Sequence, residues 1–161
     1  MTLSVFLLCL SAKADEWTDE NGTVWTFNVS NGNARLYKGW QSPCISGTIP
    51  ANLVIPATVY SGETAYPVTA IGDHAFLNCS SLTSINIPEG VTAIENAAFS
   101  DCNMAYMFFG GNTPCTLSDK SSIATTATLI VPDDAVDTYR TAWPDFQNVI
   151  IGSSDNVLML I

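Results

Sequence analysis

The feature that most constrains this chain is an internal repeat. The stretch VTAIGDHAFLNC that begins at Val68 returns 23 residues later as VTAIENAAFSDC from Val91, with seven of twelve positions identical. A period of about 20 to 29 residues belongs to coils in which one unit cannot bury its own apolar face and must stack on the next. After Cys79, Leu82-Thr83-Ser84-Ile85-Asn86-Ile87 has the L-x-x-L-x-L form of the strand in a leucine-rich-type turn. Equivalent residues are then expected to stack as internal ladders at roughly the 4.8 Å inter-strand spacing, with Val68 over Val91, Ile71 over Ile94, Phe76 over Phe99 and Cys79 over Cys102.

Weaker copies flank these two. Leu53-Val54-Ile55-Pro56 matches Ile85-Asn86-Ile87-Pro88, and Leu129-Ile130-Val131-Pro132 plays the same part further on. Each proline lacks the N–H that a ladder needs and marks where the chain leaves the sheet. Carrying the 23-residue shift past Cys102 sets Ala105 against Leu82, Phe108 against Ile85 and Gly110 against Ile87, so this unit reads as one that is already closing the array. At the N-terminal end, Trp25-Thr26-Phe27-Asn28-Val29 alternates apolar with polar and leads through Ser30-Asn31-Gly32-Asn33 to Ala34-Arg35-Leu36-Tyr37, the pattern of a hairpin. At the other end Asp134 and Asp137 resemble a capping box, and Val136, Tyr139, Ala142 and Trp143 share one helical face before Pro144, with Phe146, Val149 and Ile151 continuing the seal. The expected fold is a mainly β repeat solenoid: a leucine-rich-repeat-like right-handed coil of about four rungs, with an N-terminal β-hairpin cap and a short C-terminal helix cap.

Composition narrows what such a coil could bind. Of 161 residues 47% are hydrophobic and only 12% charged, which suits one compact core, and the net charge of −10 repels nucleic acid and anionic lipid surfaces. The apolar run Leu3–Leu10 followed by Ala12-Lys13-Ala14 reads as a secretory signal peptide, although no Lys or Arg precedes the run. It is too short to span a bilayer, which takes about 20 residues. The expected organisation is therefore a signal peptide over 1–14, an N-terminal β cap over 15–44, repeats over 45–132, and a capping helix and strand over 133–161. Four cysteines follow the leader, Cys44, Cys79, Cys102 and Cys115. An even number in an exported chain suggests disulfides. Side chains that point in parallel from adjacent rungs do not naturally meet the geometry of a disulfide, so Cys79 and Cys102 are expected to be stacked, buried thiols.

The string IPATVYSGETAYPVTAIGDHAFLNCSSLTSINIPEGVTAIENAAFSDC resembles the BspA-like leucine-rich repeats of bacterial surface proteins of the Bacteroidales type, and TLIVPDDAVDTYRTAWPDFQNV is similar to that family's closing unit. The likeness runs from about Ile45 to Val149. It implies a secreted or cell-surface protein, in some members an adhesin for host matrix proteins or for other bacteria, with no catalytic residue to carry over; no cofactor is expected, and the expected partner of this chain is a protein or glycan on a host or bacterial surface. Family members often carry many repeats, whereas two are clear here.

Residues that could carry chemistry are few. His74, the sole histidine, would need Ser80 or Cys79 as nucleophile and Asp73 as orienting carboxylate to form a triad, and its repeat partner is Ala97, so it is expected to be an exposed and inert side chain. The pairs Asp15-Glu16, Asp19-Glu20 and Asp133-Asp134 fall in caps and turns and read as solvated charge, with calcium on Asp15, Asp19 and Asn21 as the rival reading. Asn21, Asn28 and Asn78 begin glycosylation acceptor triplets that matter only in a eukaryotic source. Trp17, Trp25, Tyr37 and Trp40 gather near the N-terminal cap, as covering for the first rung or as the stacking platform of a carbohydrate-binding module.

The remaining candidate is the outer sheet face. If Ile85 and Ile87 point inward, Ser84 and Asn86 point out. Carried along the array, that parity gives one outward row of Asn52, Ser84, Met107 and Thr128 and a second of Val54, Asn86, Phe109 and Ile130. Val54, Ser84, Asn86, Met107, Phe109 and Ile130 are therefore the candidate partner-binding residues, the apolar ones forming a stripe of the kind that marks contact sites unless a cap or the Val157–Ile161 tail covers it. The functional expectation is a non-catalytic protein-binding or adhesion module. The alternatives are an architectural spacer or fragment of a larger surface protein, and a carbohydrate-binding module.

Overall fold

The computed structural model of the chain describes residues 14–40 and 42–158. The expected signal peptide lies almost wholly outside these residues, as do the last three residues of the tail.

An antiparallel meander opens the fold. β1 (Asp15–Thr18), β2 (Thr23–Ser30) and β3 (Asn33–Leu36) pair in chain order, with Trp17 opposite Trp25 and Phe27 opposite Leu36. Asn31 and Gly32 link β2 to β3 at φ 50° and 77°. Two left-handed residues are what a two-residue hairpin loop requires to match strand twist, and Asn-Gly is the pair that adopts them at least cost. The hairpin expected from sequence is thus present, with β1 added on its outer side and β4 (Ile45–Gly47) antiparallel to the start of β2.

From β3 onward the chain coils. It visits two parallel columns alternately. One contains β3, β7 (Thr64–Ile71), β9 (Ala93–Ile94) and β11 (Thr116–Leu117), the other β5 (Asn52–Val54), β8 (Ser84–Ile87), β10 (Tyr106–Phe109), β12 (Thr128–Val131) and β13 (Ile150–Gly152). A β6 (Thr58–Ser61) hairpin decorates β7. The second column is a five-stranded parallel sheet in the order β5-β8-β10-β12-β13, so it has one rung more than the four read from sequence. The extra rung is Ile150–Gly152, which was expected as part of a seal and instead pairs parallel with β12 through Leu129 opposite Ile150.

On a third side, irregular turns stack by backbone hydrogen bonds: Phe76 N–H donates to Ala98 O at 2.7 Å, Asn78 N–H to Ser100 O at 3.0 Å, and Cys44 N–H to Ala75 O at 2.7 Å. His74 and Ala97 share a left-handed backbone at φ 56° and 51°, and Asn78 and Asp101 another at 59° and 58°. The repeat therefore copies backbone shape as well as side chains.

The ladders fill the interior. Ile71 lies opposite Ile94. Phe76 and Phe99 stack with ring centroids 5.1 Å apart and planes 6° apart, and the buried Trp25 meets Phe76 edge-on. In the five-stranded sheet Leu53, Ile85, Met107, Leu129 and Ile150 form one buried row, while Ile55, Ile87, Phe109 and Val131 are buried at the strands' far ends.

One expectation about register is corrected here. Ile85 pairs with Met107 and Ile87 with Phe109, 22 residues apart instead of 23. One residue is missing from the corner after Cys102, so the buried Met104 takes the part of Leu82 and the strand after it is a full rung, not a degraded one.

α1 (Val136–Ala142) follows β12 at the point where the next strand of the first column would come, and it closes the coil. Tyr139 is buried against Phe109 and donates its hydroxyl to Gly111 O at 2.8 Å, and Trp143 packs on Phe109 and donates Nε1–H to Cys115 O at 3.2 Å. Details differ from expectation, among them Val149, which was expected to continue the seal and is exposed. Ala142 is exposed, and no capping box forms, because a tight turn over Asp133–Ala135 places Ala135 at the cap position. Asp133 instead accepts the Ser154 N–H at 2.9 Å at the start of α2 (Ser153–Leu158).

Candidate functional site

Side chains alternate along each strand, so the pairing register decides what the five-stranded sheet shows outside. With Tyr106 opposite Ser84 and Thr128, one outer row is Asn52, Ser84, Tyr106 and Thr128. The other is Val54, Asn86, Phe108, Ile130 and Ile151.

Of the six candidate partner-binding residues, the structure keeps three on an open surface. Val54 is 60% exposed, Asn86 is exposed, and Ser84 is partly exposed. Met107 and Phe109 are buried in the core, contrary to the outward placement read from a uniform 23-residue period. A one-residue slip in a strand exchanges its two faces, and that is what the shorter corner after Cys102 does. Ile130 does face outward, next to Phe108, yet it is only 3% exposed in the part of the sheet where α2 packs on β12 and β13.

The residues that sequence reasoning missed are Tyr106 and Phe108. All four residues Tyr106-Met107-Phe108-Phe109 are apolar or aromatic, so alternation could not tell the pairs apart. The distinguishing signal was Met104, the only large apolar residue between Cys102 and Tyr106 able to stand for Leu82.

Tyr106 and Phe108 lie at the centre of the face with rings 6.2 Å apart. Beside Phe108 a shallow depression of about 240 Å³ is bordered by Val54, Asn86, Pro88 and Gly110. Beyond it, Asn52 Oδ1 accepts hydrogen bonds from the Thr83 and Ser84 hydroxyls, each at 2.9 Å, which fixes the amide in place. Neither outer row contains a charged residue, in a chain that carries −10 overall.

The other groups singled out from sequence are occupied structurally. Cys44, Cys79, Cys102 and Cys115 are buried free thiols. Burial pushes Cys79 up to about 11 and Cys102 and Cys115 up to about 12, and drives Cys44 further in the same direction. None supplies a thiolate near neutral pH, so none is an activated nucleophile. Cys102 Sγ donates to Phe76 O at 2.9 Å, within the ladder expected for Cys79 and Cys102.

His74 departs from expectation. It is only partly exposed, Nδ1 lies 2.8 Å from Asp73 Oδ2, and its ring lies near that of Trp40. Asp19 holds a tight turn: Oδ1 accepts the Asn21 and Thr23 N–H groups at 2.9 and 3.0 Å, and Oδ2 accepts Trp25 Nε1–H at 2.9 Å. A carboxylate so engaged is a turn and core anchor, and among the described residues no group of three acidic, His or Cys side chains could hold a metal ion.

The aromatic residues near the cap do not form one platform. Trp25 is core, Trp17 packs on Tyr60, Tyr37 lies under the Arg35 guanidinium, and Trp40 alone is largely exposed. No helix of the described residues is long and apolar enough to cross a membrane.

Residues 57–121 match the BspA type leucine-rich repeat region, a six-copy family model. No curated protein matches the chain. Among solved structures the chain is similar to a leucine-rich cell surface protein from Faecalibacterium prausnitzii, at 19% identity and a TM-score of 0.47 over 86% of this chain and 30% of that one. It is also similar to a leucine-rich repeat protein from Bacteroides capillosus, at 22% identity and a TM-score of 0.44 over 66% of this chain and 93% of that one. A third similarity, to the pneumococcal vaccine antigen PcpA, has 11% identity and a TM-score of 0.32 over 73% and 40% of the two chains. The chain thus spans about 30% of the length of the first of these proteins.

Proposed function

The chain carries a BspA type leucine-rich repeat region, and from that premise we propose that it is a non-catalytic, secreted or cell-surface module that binds a partner protein through the outer face of its five-stranded sheet. The observation that carries this reading is the uncharged, aromatic centre of that face: the half-buried Tyr106 and Phe108, with Val54, 60% exposed, across Asn86 from Phe108. An open sheet face in water is ordinarily polar, and a contiguous apolar patch there marks a contact surface. Aromatic residues framed by fixed polar groups, here Asn52, Ser84 and Asn86, are the composition of an interface centre. The leader read from Leu3–Ala14 and the cell-surface description of the Faecalibacterium protein support the location.

The test is adherence of beads coated with the full chain to epithelial cells and to immobilised matrix proteins. Phe108→Asp should lower adherence about 30-fold or more, the effect of losing a central contact worth about 2 kcal/mol, with an unchanged melting temperature. Because the face is uncharged, adherence should also change little between low and physiological salt. Equal adherence by Phe108→Asp would refute this face, and no adherence by the unmodified chain would favour the architectural-spacer reading.

A further inference from the structure

We propose a second binding site, separate from the sheet face, in which Trp40, Asp73 and His74 form a subsite for an uncharged glycan. Trp40 is 72% exposed, the most open of the large apolar side chains among the described residues. Its ring lies 6.2 Å from that of His74 with the planes 20° apart, so the two present nearly parallel flat surfaces.

The polar half of the site is held in place from several directions. Asp73 N–H donates to Glu95 Oε2 at 3.1 Å, and Glu95 in turn is gripped by Arg35, whose Nε–H donates to Oε1 at 2.6 Å while Nη2 reaches Oε2. The Arg35 guanidinium lies 4.1 Å from the centre of the Tyr37 ring. His74 N–H donates to Asn96 O at 3.2 Å, and Asp73 Oδ2 holds His74 Nδ1 at 2.8 Å. The Asp73 carboxylate occupies Nδ1, which leaves the other ring nitrogen, Nε2, to meet a ligand hydroxyl, a group that both donates and accepts. Among the described residues neither Asp73 Oδ1 nor His74 Nε2 takes part in a hydrogen bond, and both residues are partly exposed, with the His74 ring near the exposed indole.

A pyranose ring matches that arrangement. Its C–H face is apolar and packs on an indole, and its hydroxyls, which both donate and accept, can bond the Asp73 carboxylate and His74 Nε2. Charge selects the type of sugar. Uronate, sialyl or sulfated glycans would meet the Asp73 carboxylate on a chain of net charge −10, and the nearby Arg35 is neutralised by Glu95. The ligand class is therefore a neutral oligosaccharide. A small organic cation is the competing occupant of an exposed indole beside a carboxylate, and the test separates the two.

The test is isothermal titration calorimetry of the full chain with chitohexaose, cellohexaose and maltohexaose. At least one hexaose should bind saturably with Kd in the millimolar range. Trp40→Ala should weaken that binding at least tenfold and Asp73→Asn several-fold, with unchanged melting temperatures, and Phe108→Asp should leave it intact. Trp40 is solvent-exposed and Asp73→Asn keeps the side-chain shape, so neither substitution threatens folding. The proposal is overturned if no hexaose binds saturably, if Trp40→Ala binds as tightly as the unmodified chain, or if choline displaces the sugar at comparable concentration. Loss of bead adherence with hexaose binding intact would concern only the sheet face, so the two readings fail separately.

Discussion

Replacing Phe76 by alanine should be among the most damaging changes this coil can suffer. Phe76 is fully buried, with the Phe99 ring stacked at 5.1 Å on one side and the edge of Trp25 at 6.5 Å. Truncation exposes or empties about 130 to 150 Å² of apolar surface, worth about 3.5 kcal/mol at ~25 cal/mol per Å². The surroundings can close on the hole only partly. The Phe76 N–H is tied to Ala98 O at 2.7 Å and its carbonyl to Cys102 Sγ at 2.9 Å, which holds neighbouring turns at their spacing. A residual void of roughly 40 to 60 Å³ adds about 1 kcal/mol, and the lost ring pairing about 0.5 to 1.5 kcal/mol.

The expected cost is thus about 5 to 6 kcal/mol, a third or more of the ~5 to 15 kcal/mol that holds a typical domain together. Phe99→Ala should cost less, nearer about 3 kcal/mol, because the residue one period further on is the small, buried Ser122 and the indole contact at Phe76 is untouched. Urea unfolding followed by circular dichroism, with m-values compared across the variants, measures both. A loss below about 1 kcal/mol for Phe76→Ala with an unchanged m-value would refute the ladder, since it lies well under the ~3 to 5 kcal/mol range for such truncations. A larger loss for Phe99→Ala than for Phe76→Ala would refute the role given to Trp25.

The register correction predicts that Phe109→Ala costs about 3 to 5 kcal/mol while Phe108→Ala, one position away, costs under ~1, read from the same urea curves; equal costs would restore the uniform period. The thiols should resist iodoacetamide at neutral pH in the folded chain and react on unfolding, as followed by intact mass, because burial has pushed Cys79 up to about 11 and Cys102 and Cys115 up to about 12. Rapid labelling of the native chain would contradict their burial. At Asp19 burial acts to raise the carboxyl pKa, but hydrogen bonds from Trp25, Thr23, Asn21 and Gly22 together hold it below its ordinary value. A depressed folded pKa means that the stabilisation is present above the unfolded value of about 3.9 and is lost as pH falls through the lower folded value. Asp19→Asn should therefore lower the melting temperature at pH 7 and reduce its decline below about pH 4; an unchanged acid limb would show that the turn is held by something else.

Much of the architecture was legible because the repeat states it twice. Val68, Ile71, Phe76 and Cys79 could be set over Val91, Ile94, Phe99 and Cys102 by a single shift, and each pair carries the same chemistry into the same environment. The Asn31-Gly32 turn was equally plain, since few other dipeptides tolerate two left-handed residues. The fifth rung was harder to see. Ile150-Ile151-Gly152 ends in the glycine where the other rungs have Ile55, Ile87, Phe109 and Val131, so it lacks the second apolar residue that makes the motif recognisable. That glycine is needed: a Cβ there would come within 2.5 Å of Asp133 Oδ1, the oxygen that anchors α2. The environment of His74 could not be inferred from Ala97 either. The two share a backbone conformation, but Trp40 approaches the first and Ser121 the second, and the repeat does not extend to those neighbours.

The candidate face was misread for a reason rooted in how a coil tolerates change. The first column keeps a spacing of 23 residues from Ala70 to Ala93 to Thr116, whereas the second steps by 22 from Ser84 to Tyr106 to Thr128 and by 21 from Leu129 to Ile150. A residue lost from a corner shortens an exposed connection and leaves every ladder intact, but the same loss within a strand would turn its buried side chains outward. A deletion is therefore tolerated at a corner such as Asn103, and a uniform period drawn through it assigns the wrong parity to the strand that follows, Tyr106–Phe109. Parity is the property that separates core from binding surface here, with Met107 and Phe109 on one side and Tyr106 and Phe108 on the other. The strand after that corner is read correctly by anchoring it to the apolar residue that precedes it, Leu82 in one turn and Met104 in the next, because the ladder constrains that residue and the corner does not.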